Sequence, residues 1–493
     1  MTLKPLHLYS SSENAANCYV TMTNTIFGST FSIDRSIKVA RVAQLEAQIR
    51  DSIDLHQLAE GVRLPSVRAL AKQCGVSTAT VVDAYDRLLA AGYIDARLGS
   101  GHFVAHRGAP RVAASLGALA ELPIDSVQAF MRAYDQAPFE IHAGCGWLPE
   151  HWLDEEGVKF GLRAVSHSAG AHLVRYGNPH GYLPLRQRIQ IQLGARGIDA
   201  SPEQIVLTAG ASQALTLAMR LLLKPGDAVL CDDPCYSNLV SSLMQYGLQV
   251  LGVPRLPSGP DLDALDRLCA AHRPKAFFTN TTLHNPTGTS YTLACAHRVL
   301  QIMEQHDILI VEDEIFADLQ DPPAPNLASL DQLRRVLHIQ SFSKSISPSL
   351  RVGYIACSPA LAEGLVRLKV LTGLTTSELS ERMVLAIITE GRHRKHLVRL
   401  RKRLALAQET VGARLTASGL RLFHQPSAGI FIWARFVRDV DFDAVTRQAA
   451  EQGIVLGQGQ LYSVNQAPTP WFRFNVARSD EDNLYRFLES VSG

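Results

Sequence analysis

Between residues 41 and 90 the apolar positions recur at helical spacing. Val42, Leu45, Ile49 and Ile53 mark one face of a first helix. Ser66 stands as an N-cap before a short helix from Val67 to Cys74, which Gly75 stops. Ser77 caps another helix, whose Val81, Tyr85 and Leu88 point inward and which Gly92 ends. Beyond it, Tyr93-Ile94 and His102-Phe103-Val104 flank Gly99-Ser100-Gly101, the pattern of a hairpin. Helix, helix, turn, helix, hairpin is the order of a winged helix-turn-helix, expected over residues 37–106.

Further along, the period changes. Short apolar runs, namely Ile205-Val206-Leu207, Ala228-Val229-Leu230, Ala276-Phe277-Phe278, Ile308 to Val311, Val336 to Ile339 and Val352 to Ala356, alternate with helical stretches. That alternation predicts an α/β domain over 138–493 with a mostly parallel sheet. Polar chemistry follows the C-terminal ends of several of these strands, where open α/β sheets place their ligands. Residues 1–36 lack periodicity and read as an N-terminal extension, in which Met22 offers an alternative start. The small, weakly patterned residues 107–137 read as a linker.

Composition narrows the class. A chain of 493 residues exceeds one ordinary core, and 46% hydrophobic with 19% charged residues is a globular balance. A formal charge of +2 implies no general attraction to polyanions, so any contact with nucleic acid needs a local surface. No apolar run approaches the ~20 residues that span a bilayer, and the N-terminus lacks the apolar core of a secretory signal. The eight cysteines are scattered, and the closest pair, Cys231 and Cys235, forms no metal-ligand quartet. They read as reduced, buried thiols of a cytoplasmic protein, with no metal site.

Several strand-end segments together meet the needs of a pyridine aldehyde phosphate, the chemistry of pyridoxal 5′-phosphate (PLP). In TAGASQAL, Gly210, Ala211 and Ser212 open a helix after a strand, so backbone N–H groups and the helix dipole can hold a phosphate. Tyr236 of DDPCY can cover one face of the ring, and Asn285 of HNPTG can donate to its phenolate oxygen. Asp313 of IVEDEIF ends a buried strand, a costly place for a carboxylate unless a protonated ring nitrogen pairs it. SFSKSISPSLRVGY supplies Lys344 as the amine, with Ser341, Ser343 and Arg351 for the phosphate.

These segments, in this order from about Pro138 onward, resemble the fold type I PLP enzymes of the aspartate aminotransferase class. The resemblance implies a Schiff base between Lys344 and PLP. It also gives Tyr176, in YGNPHGYLPLR, the role of reaching the phosphate of a neighbouring subunit. Arg473, in WFRFN, takes the place where the family holds an amino-acid carboxylate. One position departs: the family's tyrosine three residues after the ring-nitrogen aspartate is Phe316 here. Losing that donor should raise the pKa of the cofactor linkage and works against efficient transamination.

The segment RLPSVRALAKQCGVSTATVVDAYDRLLAAGYIDARLGSGHFV resembles the GntR family of bacterial repressors. By that resemblance Arg68 grips phosphate or a base edge, and Ser77, Thr78 and Thr80 face DNA at a helix N-terminus. Ser100, Gly101 and His102 form the wing tip. Thr78 stands where some relatives carry an arginine able to contact guanine. A second basic run, Arg392 to Arg403, reads as the solvated face of a helix or as extra phosphate contacts.

A GntR-type head before an aminotransferase-like domain is the arrangement of the MocR-type regulators. The resemblance implies a homodimeric transcription factor that binds a double-stranded operator and senses either an amino compound or PLP itself. An active aminotransferase with an appended DNA-binding head is the alternative.

Overall fold

The computed structural model describes residues 31–35, 39–54, 58–97, 100–105, 140–167, 170, 173–324 and 326–493. The linker expected over 107–137, most of the N-terminal extension and Gly99 of the hairpin lie outside the described residues. Two compact units make up the chain, residues 1–121 and 122–493.

In the first unit, α1 (Arg41–Asp54), α2 (Val67–Cys74) and α3 (Thr78–Ala90) bury Leu45, Ile49, Leu70, Val81, Tyr85 and Leu88 in one core. Ser66 caps α2 by accepting from the Ala69 N–H, and Gly75 closes it in the left-handed conformation at φ 62°. β1 (Ile94–Arg97) and β2 (Gly101–Val104) pair antiparallel, Ile94 opposite Val104. The backbone before α2 extends this hairpin: Leu64 N–H donates to His102 C=O, and Val104 N–H to Val62 C=O, each at 2.9 Å. Residues 31–35, which the periodicity leaves in the extension, pack onto the same unit. Phe31 is 4% exposed, and Gln44 and Gln48 accept from the backbone N–H groups of Asp34 and Ser32. Five residues are too few for a repeat to mark them.

The second unit is built on eight strands: β3 (Ile205–Thr208), β4 (Ala228–Asp233), β5 (Gln249–Leu256), β6 (Gly259–Pro260), β7 (Ala276–Thr279), β8 (Leu309–Asp313), β9 (Val336–Ser341) and β10 (Gly353–Ala356). Their order is β3-β10-β9-β8-β7-β4-β5-β6. β4, β5, β7, β8 and β9 are mutually parallel, whereas β10 runs antiparallel to both β3 and β9. The strands of the large sheet are mostly apolar and buried, because helices cover both faces. Leu230, Phe277 and Ile310 enter one core, and Val229, Phe278 and Val311 enter the other.

A smaller antiparallel sheet, β11-β12-β14-β13, follows in the same unit. Its strands are β11 (Leu420–Leu422), β12 (Phe431–Phe436), β13 (Gly457–Gln458) and β14 (Trp471–Asn475). The helix Gly391–Ala417 packs Leu404 and Val411 against Phe431 and Phe474 in a third core. That helix carries the basic run of Arg392 to Arg403; His393, His396 and Leu400 face inward, and the cations between them face solvent. No described helix is long and apolar enough to cross a membrane. The described cysteines are free and buried, and no metal-binding cluster occurs among the described residues.

Candidate functional site

A cavity of about 200 Å³ opens beyond the C-terminal ends of the parallel strands and reaches the small sheet. Lys344, Asp313, Asn285, Tyr236, Ala211, Ser212 and Arg473 all line it. Residues distant in sequence, from Ala211 to Arg473, therefore meet in one place, because all but Arg473, which lies within a strand of the small sheet, follow or end a strand of the large sheet that points there.

Lys344 follows β9, and its Nζ donates to the Gly146 carbonyl at 2.7 Å. Burial disfavours the ammonium and lowers its pKa to about 8, with Asp313 pulling the other way and Arg473 adding to the lowering. Asp313 ends β8 and accepts from the Ile315 N–H at 3.2 Å. Burial pushes its carboxyl up to about 6, against the opposing pull of that N–H and of Lys344. Tyr236 accepts from Asn238 Nδ2 at 3.2 Å, and burial raises its phenol.

The anion cradle forms at the start of the helix Ala211–Leu222. Gly210 caps it at φ 83°, a conformation that side chains resist. A Cβ there would also meet the Arg351 guanidinium at 2.7 Å, so the backbone must stay bare for a ligand to approach. Arg351 Nη2 donates to Ala209 C=O at 3.0 Å, and the Ser341 and Ser343 hydroxyls lie 2.9 Å apart. Tyr176 is not brought into this group: it stands 79% exposed and is absent from the cavity wall.

Arg473 lies on β14, opposite Trp433 of β12. Its Nη1 donates to Asn285 Oδ1 at 2.8 Å and its Nη2 to Gly144 C=O at 2.7 Å. The guanidinium is flanked by the rings of Phe431 and Tyr462, at 4.5 and 4.7 Å. Its Nε is buried without a hydrogen-bond partner among the described residues. Phe316 packs edge-on against Phe431 at 5.5 Å, and Lys344 Nζ lies 6.0 Å from its ring centre.

Sequence reasoning missed Gly144, Gly146, Trp147 and Tyr462, which also line the cavity. The paired glycines of AGCGW were the available signal. A Cβ at Gly144 would come within 2.0 Å of the Gly457 nitrogen, so only glycine lets this loop pass the small sheet. Tyr462 carried no such mark. Trp433 meets it edge-on at 5.6 Å and stacks on Trp471 at 6.2 Å.

Of the residues expected to face DNA in the first unit, Arg68, Ser77 and Thr78 are exposed. Thr80 is half-buried, and its hydroxyl lies 2.8 Å from that of Ser77, which caps α3 through the Thr80 N–H. Ser100 and Gly101 are exposed at the hairpin turn, whereas His102 leans its ring on Tyr85 at 4.7 Å. Two further arginines frame the wing. Arg63 lies against Gly101, and Arg97 stacks over Phe103 at 4.5 Å.

Residues 149–491 match the family described as aminotransferase class I and II, and residues 41–104 match the gntR family of bacterial regulatory proteins. Over nearly the whole chain, the probable rhizopine catabolism regulatory protein MocR of Rhizobium meliloti is 30% identical. That alignment covers 86% of this chain and 87% of the relative. The chain belongs to the MocR-type family. Another relative, the HTH-type transcriptional regulator YdcR of Escherichia coli (strain K12), is 29% identical over 444 residues, 88% of this chain and 94% of that protein. Among solved structures, the kynurenine aminotransferase of Pyrococcus horikoshii superposes with a TM-score of 0.70 at 23% identity, covering 77% of this chain and 95% of that one. This MocR-type chain thus joins a GntR winged helix to an aminotransferase fold type I domain, whose cofactor is PLP. The residues present fit that cofactor: the helix start at Ala211 and Ser212, a buried carboxylate of raised pKa and an amine of lowered pKa line one cavity.

Proposed function

We propose that the chain is a cytoplasmic, homodimeric transcription regulator that binds an operator through its head and senses a small amino compound, or PLP itself, in its second unit. One observation carries this reading: a helix-turn-helix with Arg68 and the tip of α3 exposed shares a chain with a cavity lined by Lys344, Asp313, Asn285, Tyr236, Ala211 and Ser212.

Lys344 would hold the cofactor covalently, Asp313 its ring nitrogen, Asn285 its phenolate oxygen, and Gly210, Ala211, Ser212, Ser341, Ser343 and Arg351 its phosphate. When bound, the cofactor supplies an aldehyde carbon that exchanges one amine for another. The chain's own residues set what may enter. Arg473 offers its free Nε–H to a carboxylate, with Phe431 and Tyr462 excluding water around it. A carboxylate there competes for the guanidinium that Asn285 and Gly144 share, which loads the contact between the small sheet and the cofactor loops.

Homodimerisation is supported by exposed apolar side chains of the second unit. Val174 is 90% exposed and Leu371 83%, values that a second copy of the chain would lower. A second subunit would also supply the paired heads that two half-sites require.

Phe316 favours a regulator over an aminotransferase, because the ring brings no hydroxyl to the cofactor's oxygen. The deciding experiment is DNase footprinting of the full-length protein on its own upstream region, with and without PLP and a panel of amino compounds. Ligand-dependent protection supports the regulator. No protected site, together with turnover at the ~1–1000 per second of ordinary enzymes, supports the aminotransferase instead.

A further inference from the structure

Lys369, on the helix Pro359–Gly373, is 1% exposed and has no part in the cofactor site. Its Nζ donates to Leu207 C=O at 2.7 Å, to Pro179 C=O at 2.8 Å and to Thr376 Oγ1 at 3.1 Å. Three acceptors match the three protons of an ammonium. Burial lowers the pKa to about 8, with Glu381 opposing and Arg186 reinforcing the shift. Burying such a group is costly, so its contacts must organise something that a hydrophobic side chain could not.

The three acceptors belong to three segments. Leu207 precedes the Gly210 cradle on β3, Thr376 lies in the turn after the lysine's own helix, and Pro179 lies in the segment Tyr176–Tyr182. That segment is fixed at its inner end several times over. Leu207 N–H donates to His180 C=O at 2.9 Å, Tyr182 N–H to Glu381 Oε2 at 2.8 Å, and Arg382 Nη1 to the Tyr182 hydroxyl at 3.0 Å. The Thr376 hydroxyl in turn donates a hydrogen bond to Glu381 Oε1, closing the network on Lys369. At the outer end Tyr176 is 79% exposed and does not line its own chain's cavity.

We propose that Lys369 is a positioning residue acting across the dimer: by tying Pro179 to Leu207 it aims Tyr176 at the phosphate of the neighbouring subunit's cofactor. The proposal rests on the homodimer reading above. It assigns to one buried ammonium the coupling between a subunit's own cradle strand and the completion of the opposite site.

The test uses full-length hybrid dimers, prepared with two affinity tags and titrated with PLP while the visible absorbance of the lysine-bound cofactor is followed. The Lys369→Met homodimer should bind PLP about tenfold more weakly. In a first hybrid, one subunit carries Lys344→Ala and the other Lys369→Met, so the only lysine-competent site faces an intact anchor. Its affinity should return to the wild-type value. In a second hybrid both substitutions sit in one subunit, so the competent site faces the damaged anchor and should stay about tenfold weak. Equal affinities in the two hybrids, or the reverse order, would overturn the proposal, because a purely structural loss follows the altered subunit itself. Should Lys369→Met not fold, Lys369→Gln, which retains two donors, enters the same hybrids. Tyr176→Phe and the molar mass separate the two levels. A monomer defeats the dimer reading, whereas a Tyr176→Phe dimer of unchanged affinity removes Tyr176 from the opposite site and overturns the proposal. A dimer sensitive to Tyr176→Phe but not to Lys369 substitution defeats this proposal alone.

Discussion

Arg473 Nη1 donates to Asn285 Oδ1 at 2.8 Å, joining a strand of the small sheet to the loop that follows β7. The residue expected to read a carboxylate and the residue expected to touch the cofactor are therefore one hydrogen bond apart. Replacing Arg473 by Met should leave PLP bound. It should raise the concentration of amino acid needed to change the cofactor's spectrum by roughly 10- to 100-fold, the loss of a charge-assisted pair. Spectral titration of both proteins with one responsive amino acid checks this; an unchanged midpoint would place the carboxylate elsewhere.

Asp313 opposes folding at neutral pH. Its folded pKa of about 6 exceeds the unfolded ~3.9, so between these values the native state binds the extra proton and stability falls as pH rises. The full cost is present at pH 7. Asp313→Asn should therefore stabilise the cofactor-free protein by about 1–2 kcal/mol while weakening PLP binding. Thermal melts with and without PLP measure both signs, and a destabilised apoprotein would count against the reading.

The lowered pKa of Lys344 sets how the cofactor is captured, because only the neutral amine attacks an aldehyde. Burial holds that pKa at about 8, so the rate of PLP uptake should rise with pH and level off above that point. An amine with the ~10.4 of free lysine would keep accelerating well beyond it. Stopped-flow absorbance across pH 6–10 distinguishes the two curves.

In the head, Arg68 and Ser77 should separate electrostatics from folding. Arg68→Ala should weaken operator binding and lower the slope of log affinity against log salt by about 0.9 if it grips one phosphate. Ser77→Ala removes the α3 cap and should cost ~1 kcal/mol of stability. An unchanged salt slope in the arginine variant would remove Arg68 from the DNA contacts.

Features set by local chemistry could be read from the chain. The caps Ser66 and Ser77, the stop at Gly75 and the hairpin pairing of β1 and β2 depend on neighbours within a few residues. The strand-end residues Lys344, Asp313 and Asn285 were legible because each sits in a segment whose polar chemistry interrupts an apolar run. What escaped depends on distant partners. The apolar run of β10 looks like its parallel neighbours, and only its pairing with β3 and β9 reverses it. Tyr462 meets Arg473 because a loop returns beneath β14, which no local pattern announces. Phe31 reached the head's core from a stretch too short to show a period.

The tryptophans have a practical consequence. The sequence contains four: Trp147 lines the cavity, Trp152 lies under Arg403, and Trp433 and Trp471 stack beside Tyr462 and Arg473. None lies in the winged helix. Intrinsic emission at long excitation wavelength is thus a private optical channel of the second unit, and it can be followed while DNA is offered to the head, without attaching any dye.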